Sequence, residues 1–360
     1  YTLAVGSTLP TGLSLASNGL ISGTITSPPV VDTTYSFSVV ATDAELQTST
    51  KAFSMTGLYS FTATGGTVSN IAGYRVHTFT SSGTFQVVAG SNTIEYLVVA
   101  GGGGGGAGGG GGAGGVLSGS AAIPGANSYA ITVGAGGVAA YTSAGFAAST
   151  VAVNGANSSI VGPGLSVTAY GGGAGGTSNT TFGGGAAPLN GTSYLGANGG
   201  SGGGGGGNSN IGPAAVPGGK GVYPGSTFIS SARQGYDGGA GAGNAGSPAG
   251  GGGGASAAGG NALGAGGAGA NSSIITPALA TTLGIGHVVT ANVIFGGGGG
   301  GGSYSTGTGA GGNGGGGAGG QYTASTSGVS GTANTGGGGG GSGVNAGAGG
   351  SGVVIIRYPV

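Results

Sequence analysis

The sequence predicts an all-β protein in two parts: a small β-sandwich, then a bundle of glycine rods anchored on β-strands. Three observations carry this. Residues 1–57 alternate apolar and polar side chains between turn signals, the mark of short, half-buried strands. Only ten of the 104 glycines fall before residue 101, so the second part has a different building principle. Finally, the long glycine tracts follow short β-branched or aromatic runs: YLVVA from Tyr96, AITV from Ala130, SVTAY from Ser166 and NVIF from Asn292.

Composition narrows the function classes. Glycine and proline make up about a third of the chain, a level that elsewhere means low complexity. Yet hydrophobic residues are 37% and charged residues 3%, the reverse of a disordered chain. Glycine does not recur at every third position, which excludes collagen. Net charge is +0, so no basic surface invites nucleic acid. No apolar run approaches the ~20 residues of a membrane span. Cysteine is absent, which excludes disulfides and thiolate metal sites. No motif calls for a cofactor. The chain opens on Tyr1 rather than Met and is read as part of a longer protein with domains upstream.

In the first part, the segments LSLAS, LISGTIT, TYSFSVVATDA and STKAFSMTG are expected to be the strands. The acids are Asp32, Asp43 and Glu45. They are weak calcium candidates, set against the plainer reading of solvated charges that discourage edge pairing. The words TLPTGLSLASNGLISGTIT and YSFSVVATD resemble the Ig-like (cadherin-like) repeats of bacterial surface proteins and phage fibres. The resemblance implies an Ig-like spacer over residues 1–58.

Residues 59–360 form the glycine-rich part. Strands are expected at 74–80, 84–88 and 93–100, with a closing strand at 352–360, bracketing a rod region over 101–351. The tract at 101–115 is expected to be one rod. The word GANS recurs at Gly125, Gly155 and Gly269, and reads as an imperfect repeat of GANS, strand and glycine tract. A glycine tract has no side chains to bury, and ordering each residue costs about 1–2 kcal/mol in backbone entropy. The polyproline II form makes no internal hydrogen bonds. Its N–H and C=O groups point outward, and without Cβ atoms rods can approach until those groups pair. A lattice of rods is therefore self-consistent where a single rod is not, and it excludes unpaired charge.

The words YRVHTFTSSGTF, EYLVVAGGGGGG and SGVVIIRYP resemble a glycine-rich domain at the C-terminal ends of phage tail-fibre and surface proteins. The resemblance covers residues 73–360. It implies polyglycine rods like those of tail-fibre adhesins.

Between Tyr96 and Ile356 the only charged residues are Lys220, Arg233 and Asp237, all within KGVYPGSTFISSARQGYD. Aromatic faces stack on sugar rings, while Arg and Asp hydrogen-bond hydroxyls or carboxylates. The receptor-contact candidates are therefore Tyr223, Phe228, Arg233, Gln234, Tyr236 and Asp237, with Tyr304 and Tyr322 in two further insertions. A solvated connecting loop is the plainer reading of the same window. His77 and His287 read as packed histidines. No nucleophile elbow and no paired acids appear in the rod region, so no enzyme activity is expected. The expected role is the receptor-binding end of a phage tail fibre, contacting a host-surface glycan or protein. A structural virion or cell-surface fibre and a secreted bacterial adhesin are the alternatives. A homotrimer and a monomeric domain both fit.

Overall fold

A computed structural model describes residues 1–26, 33–57, 61–144, 147–148, 150–177, 195–207, 215–223, 232–242 and 248–360. The fold is all-β, apart from one short helix. The chain divides into two compact units.

The first unit runs from Tyr1 to Ala63, with the short segments 87–92 and 124–126. Strands β1 (Thr2–Leu3), β4 (Thr33–Thr42) and β5 (Thr48–Gly57) form one sheet, and β2 (Leu13–Leu15) and β3 (Ile21–Gly23) form a hairpin. Alternation on β4 turns Phe37 and Val39 inward. Phe37 stacks on Phe53 of β5 at 5.9 Å. Asp32 lies outside the described residues. Asp43 closes the β4–β5 turn, where its Oδ1 accepts from the Gln47 N–H at 2.8 Å, and Glu45 is exposed in the same turn.

The second unit has a strand layer and a glycine lattice. The strands that follow β5 in the chain are β6 (Thr62–Thr64), β7 (Thr67–Ile71), β8 (Tyr74–Phe79), β9 (Gly83–Ala89), β10 (Asn92–Val99), β11 (Val116–Ile123), β12 (Ser128–Thr132), β13 (Thr142–Ala144), β14 (Ala147–Ala148), β15 (Ser158–Gly162) and β16 (Leu165–Ala169). Later come β17 (Ala270–Ser272), α1 (Pro277–Leu283), β18 (His287–Val289), β19 (Asn292–Phe295) and β20 (Val353–Pro359). The central sheet has the order β11-β10-β20-β8-β7. The closing strand therefore inserts between β10 and β8, with Leu97 opposite Ile355 and His77 opposite Ile356. One face of this sheet packs Leu97, Val99, Val353 and Ile355 against Phe295, Val293 and α1. The other carries His77, whose ring meets Phe85 of the sheet β16-β15-β12-β9-β6. Burial on both faces is why YLVV and VVII read as continuous apolar runs rather than alternating ones.

Helix α1 lies in the insertion of the third GANS copy, where no helix was expected. Thr276 caps it by accepting from the Leu279 N–H, Pro277 opens it and Gly284 ends it at φ 62°, the ordinary Thr–Pro start and left-handed Gly stop.

The lattice has a period of three. Gly101 and Gly104 donate to Ala156 and Val153, Gly102 and Gly105 to Gly350 and Gly347, and Gly103 and Gly106 to Gly112 and Gly109. The carbonyls of the same six residues accept in turn from three other segments, 172–175, 137–140 and 339–342. So this rod has six neighbours. The three it donates to run antiparallel and the three it accepts from run parallel. A three-residue turn with every backbone group directed outward is the polyglycine II geometry. Rods 109–115 and 296–302 keep the three-residue period, with other neighbour directions; Gly109, Gly112 and Gly115, for example, donate to Gly176, Gly173 and Tyr170.

One expectation is corrected. The tract 101–115 is two rods, not one. It reverses at Ala107–Gly108, so that Gly103 and Gly106 pair with Gly112 and Gly109. A six-residue rod spans about 19 Å, and folding back lets the second half fill a lattice position beside the first.

Alanines in the rods are not random interruptions. Ala140, Ala152, Ala174 and Ala197, from four different rods, gather their methyls in one buried cluster. At this one place in the lattice methyl packs against methyl.

Candidate functional site

The lattice sorts the candidate residues by end. Rods 101–106, 134–140, 171–176 and 296–302 each leave the strand layer directly after β10, β12, β16 and β19. They run parallel to one another and finish together at the far end. Isolated bridges tie off that end: Gly108 with Thr177, Tyr141 with Asn345, Val216 with Gly241 and Ser303 with Gln321.

Tyr304 and Tyr322 meet at this far end. They sit in two loops more than a dozen residues apart in sequence. The Tyr322 N–H donates to the Ser303 carbonyl at 3.0 Å, and the Thr323 N–H to the Tyr304 carbonyl at 2.9 Å. Thr326 braces the second loop by accepting from the Gln321 N–H at 2.7 Å. The two rings stack with centroids 5.1 Å apart and 24° between planes, and Tyr304 remains 43% exposed. The result is a flat aromatic step on a loop pair fixed by backbone bonds.

The described parts of the charged window, 220–223 and 232–237, lie at the opposite end, beside the strand layer. The Val222 N–H donates to Gly200, and the Val116 N–H, at the start of β11, donates to the Gln234 carbonyl. Gln234 is buried. Its Oε1 accepts from the Tyr170 N–H at 2.8 Å, and its Nε2 donates to the Thr168 carbonyl at 3.1 Å. Its amide is spent on the end of β16, a structural joint that sequence alone could not distinguish from an exposed contact. Phe228 lies outside the described residues.

The charges of the window pair selectively. Lys220 Nζ donates to Asp237 Oδ2 at 2.8 Å, which raises the lysine pKa. Asp237 Oδ1 accepts from the Gly221 N–H at 2.9 Å. Arg233 takes no carboxylate among the described residues. Its guanidinium carbon lies 4.8 Å from the centre of the Tyr223 ring and 4.3 Å from that of Tyr236, and Nη1 donates to the Gly235 carbonyl at 3.3 Å.

Both histidines are structural. His77 is fully buried. Its Nδ1 lies 2.8 Å from the Gly65 carbonyl, which can only accept, so Nδ1 carries the proton and Nε2 faces the Tyr358 hydroxyl at 3.2 Å. Burial lowers its pKa below 6.5. His287 Nδ1 accepts from the Gly314 N–H at 3.1 Å. Among the described residues no group of three histidines or acids gathers to hold a metal. No helix among them is long and apolar enough to cross a membrane.

The strand layer and hydrogen-bonded lattice define a glycine-rod β protein. The family model described as a glycine-rich domain matches residues 78–278, more than half of the chain, so the chain belongs to that family. A second model, described as "Putative Ig domain", matches residues 1–58. No curated protein matches.

Proposed function

We propose that this is a non-enzymatic adhesin module, the receptor-binding end of a phage tail fibre, in which the lattice is a stiff support and its far-end loops touch a host surface. The observation that carries this reading is the Tyr304–Tyr322 step. Two loops from different rods are fixed so that aromatic faces are presented together, at the end opposite the strand layer. Stacked tyrosines offer apolar area with polar tips, suited to sugar rings or protein side chains. Binding residues concentrate on loops held by rigid scaffolds, and this lattice is rigid by construction. The glycine-rich and Ig-like domain composition is compatible with an adhesin or fibre role. The site of action is then the outside of a virion or cell.

The test is adsorption of the full chain to a panel of candidate host bacteria, comparing wild type with Tyr304→Ala, Tyr322→Ala double substitution. Adsorption by the wild type that falls at least tenfold in the variant, at unchanged melting temperature, supports the reading. No adsorption across the panel, or adsorption indifferent to the substitutions, favours a structural fibre or contact elsewhere.

A further inference from the structure

We infer that Arg233, with Tyr223 and Tyr236, is a second binding site, for a saccharide bearing a carboxylate or phosphate group. The argument begins with what Arg233 lacks. It is an exposed cation in a region with a single acid, and that acid is taken: Asp237 gives one oxygen to Lys220 and the other to the Gly221 N–H. Among the described residues the guanidinium makes one hydrogen bond, from Nη1 to Gly235. Nε and Nη2 have no hydrogen-bond partner among the described residues.

Nor is the side chain loose. Two tyrosine rings hold the guanidinium within 5 Å of their centres, and the ring quadrupole attracts the cation there. An arginine ordered in advance loses less freedom when it forms hydrogen bonds, and its planar fork matches an oxyanion bidentately. The two half-buried rings frame the guanidinium with aromatic surface, the kind of surface that packs beside a sugar. Together these groups read as an anion fork set in an aromatic frame. The paired Lys220 and Asp237 cancel each other, leaving Arg233 as the unbalanced charge of the window.

This site is separate from the far-end loops and does not depend on them. Nuclear magnetic resonance titration of the full chain tests it with three probes: 3′-sialyllactose, glucose 1-phosphate and neutral lactose. The expected result is a shift of the Arg233 Nε–H, Tyr223 and Tyr236 signals with an anionic sugar and none with lactose. Comparing the first two probes separates carboxylate from phosphate. Arg233→Lys keeps the charge and removes the fork; it should weaken binding at least tenfold with the melting temperature unchanged. Silence with both anionic probes, an equal response to lactose, or full affinity in Arg233→Lys overturns the inference. Tyr304 and Tyr322 substitutions should leave this titration untouched, so failure here and failure of the adhesin reading are told apart.

Discussion

At the scale of the residue, the lattice rests on a missing atom. A methyl built on Gly101 or Gly104 would overlap the carbonyl oxygens of Ala135 or Val138, and one on Gly102 or Gly105 those of Gly337 or Gly340. Each Cα–H is thus aimed at a neighbouring carbonyl, a weak contact that repeats along the rod. Gly104→Ala should therefore cost more than about 3 kcal/mol, the severe class of overpacking and lost bonding. Gly83→Ala is the control. Its added methyl meets only Phe79 at an ordinary 3.8 Å, so the change should stay within about 0.5 kcal/mol; urea unfolding reads both. His77 makes a second prediction. Burial holds its pKa below 6.5, so the unfolded chain takes the proton first as pH falls. Stability present above that value should decline as pH drops from 6.5 through the lower folded pKa. Melting curves between pH 7.5 and 5 should show the decline. His77→Gln should start lower and fall less steeply.

At the scale of the element, the closing strand β20 ties the two ends of the second unit together. It lies between β10 and β8, and its Arg357 sits opposite Glu95, with Nη2 2.6 Å from the carboxylate. Deleting residues 353–360 should bare Leu97 and Val99 and cause aggregation, seen as loss of the soluble monodisperse species; an unchanged melting transition would contradict this. The strands themselves were legible, because YRVHTF, EYLVV and VVIIRY are β-branched and aromatic runs with few alternatives. Helix α1 carried legible caps in Thr276, Pro277 and Gly284, but its seven residues are too few for a 3.6-residue period to show. The reversal at Ala107 was not legible at all. Ala107 turns the chain while Ala113 lies within a rod, and the two occur in nearly identical glycine surroundings. Which alanine turns is decided by the neighbours across the lattice, not by local sequence.

At the scale of the whole second unit, rod direction fixes which candidates share a surface. The sequence concentrated attention on the charged window, since charge is rare there and easily seen. It could not show that Gln234 is an internal joint, or that Tyr304 and Tyr322 come together, because that meeting depends on two rods lying side by side. All of this stands on the lattice, and amide hydrogen exchange tests it most directly. In an interior rod every N–H is bonded to another rod, as for Gly102–Gly105, Gly110–Gly114 and Gly298–Gly301. Every amide in these stretches should exchange slowly, without the alternation of an edge strand, and as slowly as those of β10 and β20. Exchange of these glycines at unfolded-chain rates, while β10 and β20 stay protected, would contradict the lattice.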